Sequence, residues 1–389
     1  MNDTAQLQYI DTAEALQAFC NRIAGADWIA LDTEFLREKT YYPKLCLLQI
    51  ATPDVVACVD PLALDDLEPL LDLIFDPGIT KVMHSARQDM EIFFHLRGVA
   101  PAPVFDTQIA ALLLGYPDQI GYGNLVRELL GVSLEKLHTR ADWSLRPLSD
   151  PQLQYAADDV IYLVDVYRQL QAKLQQLGRL EWLAEDFQLL SSADLYLTHP
   201  EQAWLKVKGG NRLKGASLAV LQSLAKWREE RAIRSDRPRG WILRDDALIE
   251  IARHRPVSVA ALGKLRGLNE RLVSKSGAEL VAVVAQALDS KPQPFPNAAD
   301  RVRLTPVQDA LVDAMLALVR LSGAQHALNP AVLASRKELE KLALGNADTD
   351  VMHGWRRKLV GEQLQALLDG ELGLAVRDGQ LVITAAARA

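Results

Sequence analysis

Acidic side chains in three separate segments of the chain could hold a metal ion together. Asp32 and Glu34 stand two residues apart in WIALDTEF, Asp89 lies in HSARQDMEIF and Asp159 lies in QYAADDVIYL. On a β-strand, two side chains at that spacing point to the same face. Buried carboxylates without a basic partner need a cation, and Mg²⁺ and Mn²⁺ prefer oxygen ligands. The pattern predicts a divalent metal site, and the alternative is a set of solvated charges.

The elements that would position the first two segments can be inferred from their apolar residues. The apolar run at residues 28–31 predicts a buried strand that ends in the acidic segment. Ser85 is a candidate N-cap for a helix that carries Asp89 close to its apolar stripe. His84 is interpreted as a hydrogen-bonded structural residue and is left out of the site.

The third segment belongs to a long predicted helix. Tyr155 and Asp159 are four residues apart and share a helix face, while Asp158, at three residues, competes for the same position. A phenol beside a metal-bound carboxylate could orient an attacking water. The alternative is that Tyr155 is a core aromatic residue with a satisfied hydroxyl group.

Taken together, these segments resemble the three motifs of the Tyr-containing branch of the DEDD 3′-to-5′ exonucleases. The runs LDTEFLREKTYYPKLCLLQIA, VFDTQIAALLLG and ADWSLRPLSDPQLQYAADDV resemble the ribonuclease D family. In that family the tyrosine precedes the third acid by four residues, so the resemblance selects Asp159 over Asp158.

The resemblance implies stepwise hydrolysis of RNA from a free 3′ end, with release of nucleoside 5′-monophosphates and a role in tRNA precursor maturation. Asp32, Glu34, Asp89 and Asp159 would hold two divalent ions, Mg²⁺ or Mn²⁺, roughly 3.5–4 Å apart. Tyr155 would orient the water and completes the predicted catalytic set. A DNA-directed exonuclease and an inactive nucleic-acid-binding scaffold are the alternatives, although all four acids and the tyrosine are present.

Substrate contacts are predicted in the stretches that flank the first and third motifs. The candidates are Phe35, Arg37, Gln49, Lys136, Trp143 and Arg146. Apolar and aromatic side chains at these places could stack on terminal bases. The alternative is that Phe35 and Trp143 pack in the core.

The order of elements predicts several domains. Residues 1–190 alternate strand-like and helical runs, and the resemblance makes this region an α/β ribonuclease-H-like exonuclease domain with a mixed sheet. A connector (191–203) leads to an all-α region at 204–290 that resembles an HRDC domain. A proline-rich linker (291–300) precedes a second HRDC-like helical domain at 301–389. Its last residues suggest a hairpin that turns at Asp378-Gly379.

Charge is divided unevenly along the chain, although the net charge is only −7. Residues 1–205 carry 14 Lys and Arg against 30 Asp and Glu, whereas residues 206–275 carry 17 against 7. The basic region is expected to bind the phosphates of RNA, and the alternative is a solvated helical surface. Its candidate contacts are Lys206, Lys208, Arg212, Lys214, Arg228, Arg231, Arg234, Arg237 and Arg239.

Composition also predicts the compartment. Cys20, Cys46 and Cys58 show no metal-type spacing and are interpreted as buried packing residues in a reducing cytoplasm. The chain starts without a basic and apolar leader pattern, and no segment is long and apolar enough to span a bilayer. We therefore expect a cytoplasmic protein with RNA as its partner, no membrane contact and no obligate protein partner.

Overall fold

A mixed six-stranded sheet forms the centre of the N-terminal domain in the computed structural model, which describes residues 6–135, 141–295 and 304–385. The strands lie in the order β1-β4-β3-β2-β5-β6, and β3 alone of these six runs antiparallel to its neighbours. Their bounds are β1 (Leu7–Ile10), β2 (Trp28–Leu36), β3 (Lys44–Ala51), β4 (Val56–Val59), β5 (Thr80–Met83) and β6 (Val104–Asp106).

Helices cover both faces of this sheet. They are α1 (Ala13–Ile23), α2 (Glu68–Ile74), α3 (Arg87–Arg97), α4 (Thr107–Leu112), α5 (Tyr122–Leu130), α6 (Asp150–Gln176) and α7 (Ala184–Leu190). Helices α1 to α3 share one apolar cluster with the sheet, and α4 to α6 share the other. The long helix α6 begins with a capping box between Ser149 and Gln152, which satisfies backbone groups of its first turn.

One local prediction for this domain is wrong. Ser85 was expected to cap α3, but it adopts a left-handed backbone conformation with a φ of 60°. Instead the Asp106 carboxylate, at the end of β6, accepts hydrogen bonds from the backbone N–H groups of Ser85 and Ala86. The cap comes from a neighbouring strand, which a local sequence window cannot reveal.

The first helical domain contains five helices around its own apolar core. They are α8 (Gly215–Ser235), α9 (Arg239–Ile242), α10 (Asp245–His254), α11 (Val259–Leu262) and α12 (Glu270–Leu288). Leu221 and Leu224 of α8, Leu248 of α10 and Leu280 of α12 are fully buried in that core. The leucines of α8, spaced three residues apart, therefore lie on its buried face.

A buried polar cluster attaches this domain to the segment that follows β2. The Glu229 carboxylate is 1% exposed and accepts hydrogen bonds from the Tyr41 hydroxyl and, at 2.6 Å, from Arg239 Nε. The Asp236 carboxylate accepts from the backbone N–H groups of Tyr41 and Tyr42 at 2.9 and 3.1 Å. A buried carboxylate is costly unless such partners satisfy it, so the cluster favours one relative position of the two domains.

The second helical domain consists of α13 (Pro306–His326), α14 (Pro330–Leu333), α15 (Arg336–Ala343), α16 (Gly354–Arg356) and α17 (Glu362–Leu368), with a π-helical turn at Arg357–Gly361. Strands β7 (Leu372–Arg377) and β8 (Gln380–Ala385) follow it. They pair antiparallel and turn at Asp378-Gly379, which confirms the predicted hairpin. Pro296 of the predicted linker lies outside the described residues.

The second helical domain shares its core with the N-terminal domain. Met315 and Leu318 of α13 belong to the same cluster of buried residues as Val160 and Leu163 of α6. The Trp182 and Trp355 rings stack with centroids 4.7 Å apart and planes 7° apart. The guanidinium group of Arg179 also donates to carbonyl oxygens of both regions, Leu113 and His326. Apolar burial therefore joins the last helices to the helix that carries Asp159.

Cys20, Cys46 and Cys58 are all buried and make no disulfide, which confirms their interpretation as packing residues. Among the described residues, every helix is too short or too polar to cross a membrane.

We expect Trp355→Ala to destabilise the protein, since it removes a side chain only 9% exposed from the shared core. The expected loss is about 3–5 kcal/mol, measured as the free energy of unfolding in urea. Trp241→Ala is the matched control, because Trp241 is 62% exposed and its truncation leaves no cavity. Equal unfolding midpoints for the two variants would contradict the shared core.

Candidate active site

Strand β2 lies between β3 and β5 and presents alternate side chains to two different helices. Ala30 belongs to the apolar cluster of α6, whereas Ile29 and Leu31 belong to the cluster of α1 to α3. Continuing that alternation, Asp32 and Glu34 face α6 and Thr33 faces α3. A register shift between Glu34 and Phe35 interrupts the pairing with β3, which then continues through Leu36, and such bulges are common beside functional sites.

Three of the four predicted acids meet at the junction of β2 and α6. Carboxylate oxygens of Asp32, Glu34 and Asp159 all lie within 4.8 Å of one another. Asp158 points elsewhere, and its carboxylate accepts a hydrogen bond of 2.8 Å from Gln154. The geometry therefore agrees with the choice of Asp159 over Asp158.

The fourth acid reaches the junction from the opposite face of the sheet. Asp89 lies in the first turn of α3, is 7% exposed and accepts a hydrogen bond from the Thr33 hydroxyl. Its negative charge raises the pKa of both Asp32 and Glu34, so the four acids form one electrostatic unit. Sequence reasoning missed Thr33, although strand alternation placed it on the face opposite its two acidic neighbours.

Burial and mutual repulsion make these carboxyls weak acids in the folded chain. Burial, followed by repulsion from the other acids, raises the pKa of Asp32 well above its usual range and that of Glu34 to about 8. Burial raises the pKa values of Asp89 and Asp159 to about 7. Closely spaced carboxylates that resist ionisation are a donor set that a divalent cation fits, because its charge removes the repulsion.

Asp106 is a second residue that sequence reasoning missed. Besides capping α3, its carboxylate is the N-cap of α4 and accepts from the backbone N–H groups of Gln108 and Ile109. It thereby holds the first turn of α3, and Asp89 within it, against the end of β6. The signal was an Asp-Thr pair directly before a helical run, a common N-cap pattern.

Tyr155 stands one turn before Asp159 on α6. Its ring stacks on that of Trp143, with centroids 6.1 Å apart and planes 30° apart. Trp143 is 2% exposed and was predicted to contact substrate. Because so little of its surface is accessible, we reassign it as a residue that positions the tyrosine.

Arg146, another predicted substrate contact, is fully occupied by the protein. Its guanidinium group binds both carboxylate oxygens of buried Asp60, at 2.5 and 2.6 Å. It also donates to the backbone carbonyls of Trp143, Leu145 and Cys46. These contacts use all five of its donors, so Arg146 anchors the segment that carries Trp143 and has none left for a phosphate.

The remaining candidate contacts differ in their surroundings. Arg37 is partly exposed and forms a bidentate ion pair with Glu91 of α3 at 2.7 and 2.8 Å. Phe35 is partly buried at the end of β2. Gln49 is fully buried directly opposite Asp32, and its amide has no hydrogen-bond partner among the described residues. Lys136 lies outside the described residues.

Three of the basic residues proposed as phosphate contacts also have structural roles. Arg228 has a side chain only 5% exposed and pairs with Asp245 at 2.6 Å. Arg231 pairs with Glu279, and Arg239 belongs to the cluster around Glu229. Their charges are satisfied within the protein, which leaves the other predicted phosphate contacts of the region as candidates.

Comparison with known families agrees with this architecture. A 3′-5′ exonuclease family model matches residues 7–175, and an HRDC domain model matches residues 217–284. These matches confirm the predicted exonuclease domain followed by an HRDC domain. The assignment of residues 301–389 as a second HRDC-like domain and the predicted domain boundaries stay predictions.

Individual relatives cover nearly the whole chain. Ribonuclease D of Nitrobacter hamburgensis is 41% identical over 379 residues, which are 97% of this chain and 99% of that protein. The crystal structure of Escherichia coli RNase D, described as an exoribonuclease involved in structured RNA processing, superposes with a TM-score of 0.80 at 33% identity and covers 94% of this chain and 99% of that one. The catalytic core of RRP6 from Trypanosoma brucei has a TM-score of 0.59 at 26% identity, covering 74% and 81%.

The pKa shifts of the acids predict a stability that depends on pH. The unfolded chain releases the protons of these carboxyls near pH 4, whereas the folded chain keeps them to about pH 7 or 8. In a chelator, the free energy of unfolding should therefore fall between about pH 5 and 8, by at least about 1.4 kcal/mol, the equivalent of one pKa unit. Adding Mg²⁺ or Mn²⁺ above pH 7 should restore it. Urea unfolding at each pH measures the effect.

Glu34→Gln should make this fall shallower, because it removes one of the repelling charges. The matched control is Glu14→Gln, which changes an exposed acid at the start of α1 and should leave the pH profile unchanged. A metal-free wild type whose stability is constant or rises from pH 5 to 8 would contradict the repulsion.

Proposed function

Because the chain belongs to the ribonuclease D family of 3′-5′ exoribonucleases, we propose that it shortens structured RNA precursors from their free 3′ ends. Each cycle releases one nucleoside 5′-monophosphate. Transfer RNA precursors are the substrates that we propose, and two divalent metal ions are the cofactors.

The observation that carries this proposal is the meeting of carboxylate oxygens from Asp32, Glu34 and Asp159 within 4.8 Å, with Asp89 beside them. These residues would hold the cations. Bound there, divalent cations supply charge stabilisation for the scissile phosphate and lower the pKa of an attacking water. Since carboxylates from β2 and α6 already lie within 4.8 Å of one another, with Asp89 of α3 beside them, metal binding would need little rearrangement.

The role proposed for Tyr155 follows from its position one helical turn from Asp159. A hydroxyl group there can hydrogen-bond the attacking water and fix its direction relative to the phosphorus atom. The stacked Trp143 ring limits the movement of the tyrosine. Arg146 acts indirectly, through Trp143. Its ion pair with Asp60 fixes the segment that carries Trp143.

The choice of RNA as substrate is supported by two features. Residues 206–275 carry 17 Lys and Arg against 7 Asp and Glu, which favours a polyanionic partner. The E. coli relative is described as acting in structured RNA processing. The acids contact only the phosphodiester, so the preference for RNA over DNA has to come from contacts elsewhere.

We expect purified wild type to produce a ladder of products, each one nucleotide shorter, from a 5′-labelled tRNA-like RNA with a 3′ overhang in Mg²⁺ or Mn²⁺. Asp32→Asn should abolish the ladder, because it removes a charge from the acid cluster. Asp158→Asn is the matched control and should retain activity, since Asp158 points to Gln154. Denaturing gels of a time course, with a DNA strand of the same sequence in parallel, give the readout.

Three outcomes would contradict the proposal. A wild type that yields no mononucleotides in either metal would indicate a binding protein without nuclease activity. Faster degradation of the DNA strand would indicate a DNA-directed exonuclease. Equal loss of activity in the Asp158 and Asp32 variants would contradict the assignment of the third acid.

Tyr155→Phe should lower kcat by about 10²–10⁴-fold, the range typical of a positioned proton-transfer group. The apparent affinity for metal should change little, because the four carboxylates remain. The control is Tyr167→Phe on the same helix, whose ring packs between those of Trp28 and Phe105 away from the acids. Single-turnover rates at several metal concentrations separate the two effects, and full activity of Tyr155→Phe would exclude the role.

A further inference from the structure

The first helical domain carries a wide cavity lined by cations that no acid neutralises. Arg237, Arg244, Arg271 and Lys275 are exposed around this cavity of about 550 Å³, which lies between α8, α9 and α12. Among the described residues, none of the four takes part in an ion pair. They differ in this from Arg228, Arg231 and Arg239, whose charges are paired, and they are free to bind an external anion.

An exposed aromatic ring lies in the same cavity. Trp241 belongs to its lining and is 62% exposed, far more than a tryptophan that contributes to a core. A ring with an accessible face beside unpaired cations is the combination on which single-stranded nucleic acids stack.

The cavity continues toward the N-terminal domain. A second cavity of about 270 Å³ shares Gly240 and Arg244 with the first. The second shares Lys206 and Arg239 with a third cavity of about 340 Å³. Each cavity therefore adjoins the next through lining residues that the two share.

The third cavity is lined in part by the segments that carry Glu34 and Asp89. Its lining includes Arg37, three residues after Glu34, and Arg87, two residues before Asp89. Arg87 and Lys206 are exposed and form no ion pair with any residue that the structure describes. Unpaired cations thus occur from the cavity of Trp241 to the two segments that carry Glu34 and Asp89. The acids in the linings of the second and third cavities are each paired with an arginine, namely Glu91 with Arg37, Glu229 with Arg239 and Asp245 with Arg228.

We propose that these three cavities form one track that binds the phosphodiester backbone of a single-stranded RNA 3′ tail, upstream of the nucleotide being removed. Arg87 and Lys206 contact phosphates near the acids, and a base further upstream stacks on Trp241. This inference rests on the proposed function, since the track leads toward the segments that carry Glu34 and Asp89. The contacts are with phosphates and a ring face, so binding tolerates any base sequence.

The salt dependence of binding tests the phosphate contacts. In an Asp32→Asn background that binds without cleaving, fluorescence anisotropy of a labelled single-stranded RNA gives Kd at several KCl concentrations. Arg87→Ala with Lys206→Ala should lower the slope of log Kd against log salt by about 1.4, because each phosphate contact on a single strand contributes about 0.7.

The matched control is Arg22→Ala with Lys173→Ala, which removes one Arg and one Lys from exposed positions outside the three cavities. It changes the net charge equally and should keep the wild-type slope. Equal slopes for the two double variants would overturn the phosphate contacts.

Trp241→Ala should weaken RNA binding by roughly 5- to 150-fold without changing the salt slope, since stacking involves no counterion release. Trp241→Phe should recover most of the affinity, because a phenyl ring also stacks. An alanine variant that binds like wild type, or a phenylalanine variant that binds as weakly as alanine, would overturn the stacking role.

Two further measurements show whether the track or the proposed function is wrong. They are the binding of a second polyanion and the cleavage of RNA by the wild type. Poly-L-glutamate that binds as tightly as RNA, and loses affinity equally in the Arg87 and Lys206 variant, would show a site for acidic protein and overturn the track. A wild type that binds RNA along the track but releases no mononucleotides would refute the proposed function alone. A wild type that cleaves RNA while the track variants bind it normally would refute the track alone.

Discussion

The constraint on which the rest of the structure depends is the gathering of four carboxylates in a partly buried place. Their repulsion favours any movement that separates them. Each carboxylate must therefore lie on an element that other interactions hold in place. Asp32 and Glu34 lie on a strand between two hydrogen-bonded neighbours, Asp159 lies on a long capped helix, and Asp89 is tied to Thr33. The surrounding fold provides the rigidity that the acids lack by themselves.

The two helical domains attach to this scaffold through different interactions. The first is joined by a polar cluster in which buried Glu229 needs both Tyr41 and Arg239, so its attachment is directional. The second is joined by apolar burial against α6. The free energy of apolar burial depends on the area removed from water and not on the direction of the contact. One attachment contacts the segment that follows β2, the strand of Asp32 and Glu34, and the other contacts α6, the helix of Asp159.

The sequence alone was sufficient to predict which side chains share a face of one strand or helix, because this depends on local spacing. Residues two apart on a strand and four apart on a helix share a face in almost any context, so Asp32 could be paired with Glu34, and Tyr155 with Asp159. The resemblance to a family, and not spacing, related these two segments to each other and selected Asp159 over Asp158. The sequence did not reveal hydrogen-bond partners that are distant in the chain. Asp106 caps α3 from 20 residues away, and Asp60 occupies Arg146 from 86 residues away. A local window contains neither partner, so Ser85 was taken for a cap and Arg146 for a substrate contact.

The same distinction explains why acids and bases in this chain must be interpreted differently. Where acidic residues lie together and no basic residue is near, a cation from outside the protein has to neutralise their negative charge. The acidic residues alone therefore indicate a cation site. The arginines of the first helical domain are ambiguous, because Glu229, Asp245 and Glu279 can neutralise them internally. Regional charge therefore favours a polyanionic partner, whereas ion pairing indicates which cations remain free to bind one. Unpaired cations, such as Arg87, Lys206 and Arg244, are free to neutralise phosphates and so to displace the counterions of a nucleic acid, whose release favours binding.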